Sequence, residues 1–237
     1  MRLDKFLTVT GTATRSESKK AARAGAVTVN GVTVKDTSVQ INEETDTITF
    51  RGAAVIYKRF TYIMMNKPSG YISSTDDPHK KTVLELLPEN LRRLGLFPCG
   101  RLDIDTTGLL ILTNNGQLAH KLLSPKYHVA KTYYFTCFPP ISPEQTTKLE
   151  KGVDIGEKSL TKPAKLSVSD DGKSGHITIS EGKFHQIKRM FKACGCEVIS
   201  LKRLSMGTLT LDESLKPGEY RKLTDKEMSL LGIKSKT

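Results

Sequence analysis

The chain has 237 residues, 37% of them hydrophobic, which is enough for one domain of ordinary size and a small second one. Its formal net charge of +12 favours a polyanionic partner, nucleic acid first, although a basic enzyme with solvated lysines has the same composition. The four cysteines include no CxxC pair and have no clustered histidines nearby, which argues against a zinc site.

The sequence carries no pattern typical of export or of membrane insertion. Its first residues, MRLDKFL, lack the apolar stretch of a signal peptide, and no run of about 18 apolar residues follows. Four cysteines without such a signal fit a reducing compartment. We therefore expect a cytoplasmic protein with no membrane partner.

The first part of the chain predicts two helices followed by a β-hairpin. Apolar residues at helical spacing begin at Leu3 and indicate the first helix. Thr14 and Glu17 form a capping-box pattern at the start of a second helix, which Gly25 ends. Residues 27–34 then alternate apolar and polar side chains around an Asn-Gly turn, a strong hairpin signal.

Basic residues dominate this module. Residues 1–35 contain seven lysines and arginines against two acids, and three of the basic residues in the second helix recur every four positions on one face. A solvated helix face usually mixes both signs of charge, so we interpret this face as an RNA-docking surface, with ordinary solvated charge as the alternative. The predicted RNA-binding residues of the module are Arg2, Lys5, Arg15, Lys19, Lys20 and Arg23.

After the module, residues 46 to about 60 predict one strand and a short basic connector, and the pattern then becomes β-rich with interspersed helices. This mixture favours an α+β fold with a mostly antiparallel, mixed sheet. We place a small domain at 1–58 and a larger one at 59–237, ending in a disordered basic tail. Predicted strands lie at 62–65, 109–112, 132–136 and 176–179, and predicted helices lie near 83–94, 114–123, 143–151 and 224–231.

Four stretches resemble known families. Residues 1–45 resemble the S4 RNA-binding domain, which implies a partner of folded RNA that is recognised through its phosphates and shape. Residues 100–114 resemble the catalytic motif of pseudouridine synthases, in the GRLDxxTxGLL form of the RsuA branch, although the residue types alone would also fit a capped surface turn. Residues 66–70, NKPSG, and 181–190, EGKFHQIKRM, resemble two further motifs of that branch.

The resemblance implies a role for each motif residue. Asp103 matches the nucleophile, and Tyr133 matches the tyrosine that stacks on the target base and assists removal of its C5 proton. Lys188 matches the cation that keeps a desolvated nucleophile ionised. Arg101 would enter the RNA stack, or hold phosphates, while the nucleotide flips out. Further RNA contacts are expected from the motif residues Lys67, Lys183 and Arg189.

Alternative interpretations stay open for several of these residues. A strand tyrosine often packs into a core, and we expect the neighbouring Tyr134 in that position. Lys188 would also serve as one more phosphate contact on a basic helix. Asp105 lies outside the motif position of the nucleophile, and the family chemistry requires no histidine at His185, so neither is expected to be catalytic.

The resemblance implies an enzyme that isomerises a specific uridine of ribosomal RNA without a cofactor or a metal. We expect a monomer, because no long apolar stripe is left over after the two cores are assigned. Residues 74–78, 160–163 and 217–221 are similar to the members of the RsuA branch that modify 16S ribosomal RNA. We therefore expect 16S RNA as the substrate, free or within a partly assembled small subunit. The alternatives are the same chemistry on 23S RNA and a non-catalytic RNA-binding protein, and the route, by attack at C1′ or C6 or through a glycal, stays open.

Overall fold

A computed structural model describes residues 1–233, so the basic tail predicted to be disordered lies outside the described residues. The chain forms two compact units. One comprises Met1–Thr61 and Leu84–Phe97, and the other comprises Tyr62–Val83 and the chain from Pro98 onward. Among residues 1–233, no helix combines the length and the apolar composition that crossing a membrane requires.

The first unit has the predicted helix, helix, hairpin order and two further strands. Its elements are α1 (Leu3–Val9), α2 (Arg15–Arg23), α3 (Glu89–Arg92), β1 (Val27–Val29), β2 (Val32–Thr33), β3 (Ile48–Phe50) and β4 (Ala53–Val55). The strands pair in the order β2-β1-β3-β4, all antiparallel. Thr14 and Glu17 form the predicted capping box of α2, and Gly25 follows that helix with a φ of +74°. The apolar faces of α1 and α2 pack on β1 and β3 to form the core.

The prediction of a single strand and a connector over residues 46–60 is wrong. Arg51 and Gly52 both adopt positive φ, 53° and 79°, and form a tight turn that returns the chain as β4. Positive φ at both central residues defines the turns whose twist matches antiparallel strands. An arginine is an unusual residue for such a position, and for that reason the sequence did not indicate the turn.

The second unit is built on a nine-stranded sheet with helices packed on it. Its strands are β5 (Tyr62–Lys67), β6 (Phe97–Pro98), β7 (Thr107–Thr113), β8 (Lys131–Phe138), β9 (Lys165–Val168), β10 (Ser174–Ile179), β11 (Glu197–Met206), β12 (Leu209–Thr210) and β13 (Tyr220–Lys222). Its helices are α4 (Gly116–Leu123), α5 (Pro143–Lys151), α6 (Gln186–Ala193) and α7 (Asp225–Leu230).

The strand order confirms the predicted α+β fold with a mostly antiparallel, mixed sheet. The sheet runs β13-β5-β7-β11-β8-β10-β9, with β12 on β11 and β6 on β7. Strands β7 and β11 are parallel, and the other neighbours along that order are antiparallel. The helix predicted near 83–94 is instead a 3₁₀ turn, Val83–Leu86, followed by the short α3, because Pro88 disfavours helical backbone in the residue before it.

Strand β8 determines which tyrosine is buried. Its residues alternate strictly in burial, as the two-residue period of a strand requires, and Phe135 packs edge to face on Phe191 of α6 at 4.7 Å. Tyr133 shares the face of Phe135 and is 7% exposed, whereas Tyr134 points to the other face and is 36% exposed. The prediction that Tyr134 takes the core position is therefore wrong.

Gly108 allows the parallel strands β7 and β11 to approach closely. It has a φ of +97°, and a methyl group at this position would collide with the backbone carbonyl oxygen of Arg203. Glycine avoids both the strained backbone and the collision. The glycine of the GRLDxxTxGLL motif thus fixes the strand that follows the Asp103 loop.

Candidate active site

Asp103 lies in the loop between β6 and β7, and hydrogen bonds hold this loop from two sides. The hydroxyl of Ser73 accepts a hydrogen bond from the Leu102 N–H at 3.0 Å and donates one to the Leu102 carbonyl at 3.1 Å. The Gly70 N–H donates to the Ile104 carbonyl at 2.9 Å. The residues on both sides of Asp103 are therefore fixed, while its side chain stays 25% exposed to solvent.

Lys67 anchors the same loop from inside the protein. Its side chain is fully buried at the end of β5, and burial lowers its pKa to about 8, although the carboxylates of Asp105 and Asp103 partly oppose this. The prediction that Lys67 contacts RNA is wrong, because a buried ammonium that is bonded to backbone cannot reach a phosphate. Its Nζ donates to four carbonyl oxygens, those of Pro68 at 3.1 Å, Asp103 at 3.1 Å, Ile104 at 3.2 Å and Thr106 at 2.9 Å.

The motif at 181–190 builds the start of helix α6. The buried Gln186 donates to the Glu181 carboxylate at 2.7 Å and accepts from the Lys183 N–H at 2.9 Å. His185, the residue before the helix, adopts left-handed backbone with a φ of 48°. Such a conformation is uncommon for residues other than glycine and here redirects the chain into the helix. Lys188 follows one turn later.

The side chains of Lys188 and His185 lie beside the Asp103 carboxylate. The Lys188 Nζ is 3.4 Å from Asp103 Oδ2, and the His185 Nε2 is 3.4 Å from Asp103 Oδ1. Lys188 makes its shorter contacts with Asp105, at 2.5 and 2.7 Å to the two carboxylate oxygens. Burial alone would raise the pKa of Asp105, but the hydrogen bonds and charge of Lys188 outweigh it and hold that pKa below its usual value.

Asp105 and His185, neither of which was expected to be catalytic, both lie in the cluster around Asp103. Asp105 follows Asp103 by two residues in the same loop, and the Lys188 Nζ contacts both carboxylates. His185 precedes Lys188 by three residues, a spacing that brings side chains to the same side of a helix. His185 itself lies before the helix in left-handed backbone, so this spacing alone does not indicate its contact with Asp103.

The strand register places Tyr133 in one row with the start of β7. Tyr133 pairs with Arg203 of β11, and Arg203 pairs with Gly108 of β7. Arg203, which the sequence reasoning did not single out, is 2% exposed and donates through Nε to the Leu109 carbonyl at 2.7 Å. Tyr133 thus lies on the sheet face that α6 covers, the helix that carries Lys188.

The remaining predicted RNA-binding residues of this unit differ in solvent exposure and in their hydrogen bonds within the fold. Arg101 is exposed in the Asp103 loop, and Lys183 is partly exposed with its Nζ bonded to a backbone carbonyl at 3.2 Å. Arg189 donates to Glu157 at 2.8 Å and to the Phe184 carbonyl at 3.1 Å. The guanidinium of Arg189, predicted to bind RNA, is therefore occupied within the fold.

The predicted RNA-docking face of the first unit is exposed along α2. The exposed basic side chains of this unit include Lys5, Arg15, Lys19, Lys20 and Arg23. Three of them, with Ser16, line a surface depression of about 360 Å³. Arg2 instead pairs with the buried carboxylate of Asp4 at 2.8 Å, which leaves its side chain half exposed.

Comparisons with known proteins identify the family of the chain. The family described as RNA pseudouridylate synthase matches residues 61–193, and the S4 domain matches residues 1–48. A Bacillus subtilis protein named uncharacterized RNA pseudouridine synthase YtzG is 49% identical over 98% of both chains. Ribosomal small subunit pseudouridine synthase A of Haemophilus influenzae is 44% identical over 98% of this chain and 99% of that protein. The Escherichia coli protein of the same name is 42% identical over 97% and 99%.

A crystal structure of a pseudouridylate synthase is similar along nearly the whole chain. It matches with a TM-score of 0.69 and 44% sequence identity, over 98% of this chain and 99% of that chain. These findings confirm the resemblance that the sequence motifs indicated. The chain belongs to the RNA pseudouridylate synthase family of isomerases, in its RsuA branch, and carries an S4 domain at its N-terminus.

Proposed function

We propose that this enzyme converts a specific uridine of 16S ribosomal RNA to pseudouridine, with Asp103 as the nucleophile. The observation that carries the proposal is a partly exposed carboxylate on a loop whose backbone is held by the Ser73 hydroxyl, with Lys188 and His185 each 3.4 Å away. Support for the small-subunit substrate comes from the two relatives named ribosomal small subunit pseudouridine synthase A, which align along nearly all of this chain.

The reaction rearranges the nucleotide without adding or removing atoms overall. The bond between N1 and C1′ breaks, the uracil turns, a bond forms between C5 and C1′, C5 loses a proton and N1 gains one. A carboxylate serves this chemistry by attacking C1′ or C6, or by assisting a glycal route, and Asp103 suits each of the three. No oxidant, energy source or metal is needed for any of these steps.

The residues around Asp103 divide the remaining work. The ammonium of Lys188, 3.4 Å from the Asp103 carboxylate, balances its negative charge when substrate excludes water from the site. Tyr133 supplies a ring for the flipped base and a hydroxyl near its C5 proton. Arg101, exposed two residues before the nucleophile, fills the gap that the target nucleotide leaves in the RNA or holds its phosphates.

Docking to the RNA is the role we assign to the S4 domain. Its exposed basic residues, chiefly Lys19, Lys20 and Arg23 along one helix, contact phosphates and so position the enzyme without reading sequence. Lys183, which is partly exposed, adds a cation in the segment just before His185. We place the enzyme in the bacterial cytoplasm, acting as a monomer on ribosomal RNA that is free or partly assembled.

The test is to map the product. Purified enzyme is incubated with protein-free 16S RNA, protein-free 23S RNA and partly assembled small subunits, and pseudouridine is then located by carbodiimide modification and primer extension. One new stop in 16S RNA is the expected result. A stop only in 23S RNA would keep the chemistry and reject the small-subunit substrate, and no stop in any RNA would reject catalysis on ribosomal RNA.

A further inference from the structure

Phe184 is an exposed aromatic side chain beside the catalytic carboxylate. It is 69% exposed, although most large apolar residues of the described chain are buried. Its ring stacks on the ring of His185, with centroids 3.8 Å apart and planes inclined by 19°. His185 in turn lies 3.4 Å from Asp103. One face of Phe184 is therefore covered by His185, and much of the ring remains in water next to the site.

The surrounding contacts hold this pair in a defined orientation. The Phe184 carbonyl accepts a hydrogen bond from Arg189 at 3.1 Å, and Arg189 is tied to Glu157 at 2.8 Å. His185 is kept in left-handed backbone by the start of α6, where Gln186 is bonded to Glu181 at 2.7 Å. A non-glycine residue in this conformation stores strain that the neighbouring contacts must offset. The two rings are thus preorganised without being buried.

We propose that Phe184, backed by His185, is a stacking platform for a base next to the target uridine in the RNA strand. The proposal rests on the proposed function, because it takes RNA as the substrate. Single-stranded bases stack on exposed aromatic rings in RNA-binding proteins, and this needs no reading of base identity. His185 separates Phe184 from Asp103, so the target nucleotide, whose C1′ must reach the carboxylate, is not the one that stacks here.

Charge around the platform suits a nucleotide rather than an apolar protein surface. Lys183, whose side chain is partly exposed, precedes the pair in the chain. The ammonium of Lys188 is instead paired with the carboxylates of Asp105 and Asp103. A cation beside an exposed ring can hold the phosphate of a nucleotide whose base stacks on that ring. A protein partner that docked an apolar side chain on Phe184 would have to desolvate these charges.

The experiment uses fluorescence, because the chain contains no tryptophan. The Phe184→Trp variant then carries one reporter at the platform, and Phe138→Trp carries one at a matched position. Phe138 is 68% exposed and lies at the far end of β8, five residues beyond Tyr133. Each full-length variant is titrated with 16S and 23S RNA while emission, RNA binding and pseudouridine formation are followed.

RNA should quench the tryptophan of Phe184→Trp with the same midpoint as binding, and should leave Phe138→Trp unchanged. Phe184→Leu should raise KM and Kd by about 5- to 150-fold, the range for loss of one stacked base, with kcat at saturation changed less than about twofold. Phe184→Trp should restore KM, which a merely structural role of the ring would not require.

Three outcomes separate this proposal from the proposed function. RNA that is modified by the wild type but does not quench Phe184→Trp overturns the platform alone. If an RNA binds and quenches Phe184→Trp but is never modified by the wild type, the platform is supported and that RNA is rejected as the substrate. If KM and Kd of Phe184→Leu equal those of the wild type, or if a ribosomal protein without RNA quenches the reporter equally, the platform is wrong.

Discussion

Replacement of Lys67 by methionine tests how the Asp103 loop is held. The side chains have similar length, but methionine lacks the ammonium that donates to four carbonyl oxygens, including that of Asp103 at 3.1 Å. An ammonium has three protons, so about three carbonyls lose a full donor, at a cost of about 1–3 kcal/mol each. Removal of a buried charge also relieves a desolvation cost of several kcal/mol. We therefore expect Lys67→Met to lower the free energy of unfolding by about 2 kcal/mol at pH 7.

The stability difference between the wild type and Lys67→Met should increase with pH. The pKa of Lys67 is lowered from 10.5 to about 8, so between these values the unfolded chain holds a proton that the folded chain has released. Stability therefore rises with pH over this interval, because the unfolded state binds more protons. The difference between the two pKa values sets a ceiling of about 3 kcal/mol on the gain. Between pH 7 and about pH 9.5, the free energy of unfolding of the wild type should rise by about 2 kcal/mol relative to that of Lys67→Met.

Urea unfolding of both proteins across this pH range measures the difference directly, since groups that titrate alike in both proteins cancel. Lys202→Met, at an exposed position of β11, is the matched control and should show no such trend. Turnover of Lys67→Met should fall while its RNA affinity stays within about threefold, because the ammonium is buried. Parallel stability curves for wild type and Lys67→Met, or full turnover in the variant, would refute this reasoning.

Three further substitutions test other parts of the account. Gly108→Ala should destabilise the fold by about 4 kcal/mol or more, measured by urea unfolding, because its methyl group would meet the backbone of Arg203 in a left-handed conformation; a loss under about 1 kcal/mol would contradict this. Lys188→Met should lower kcat about 100-fold in single-turnover assays, with Kd for RNA changed less than tenfold; unchanged turnover would exclude it from the mechanism. Charge reversal of Lys19 and Arg23 should weaken RNA binding and reduce its salt slope by about 2, and an unchanged slope would place the RNA elsewhere.

Local patterns predicted the elements that carry strong signals of their own. The capping box of α2 and the Asn-Gly hairpin formed as expected, since both depend on neighbouring residues. Strand β11 was not predicted, because its pairing with β8 shifts register twice and breaks the alternation that marks a strand. Short strands such as β6 and β12 depend on tertiary pairing, so two residues of sequence give no signal for them.

The candidate site was predictable as a set of motifs but less so as a set of contacts. Asp103 and Lys188 were identified by family resemblance, and the structure brings them to 3.4 Å. The buried position of Lys67 follows from β5, all of whose residues are buried, and a lysine there looks like a surface cation in the sequence. The contact of His185 with the nucleophile depends on a left-handed backbone that no propensity indicates.

The identity of the nucleophile is the central claim, and the two carboxylates beside Lys188 allow a sharp test of it. Wild type, Asp103→Asn and Asp105→Asn are each mixed with 16S RNA that is tritiated at C5 of uridine, and tritium release and RNA affinity are measured under single-turnover conditions. We expect no release from Asp103→Asn at nearly unchanged affinity, and slower but complete release from Asp105→Asn, which leaves Lys188 free to pair with the nucleophile. Release by Asp103→Asn at the wild-type rate, or its loss in Asp105→Asn alone, would contradict the account.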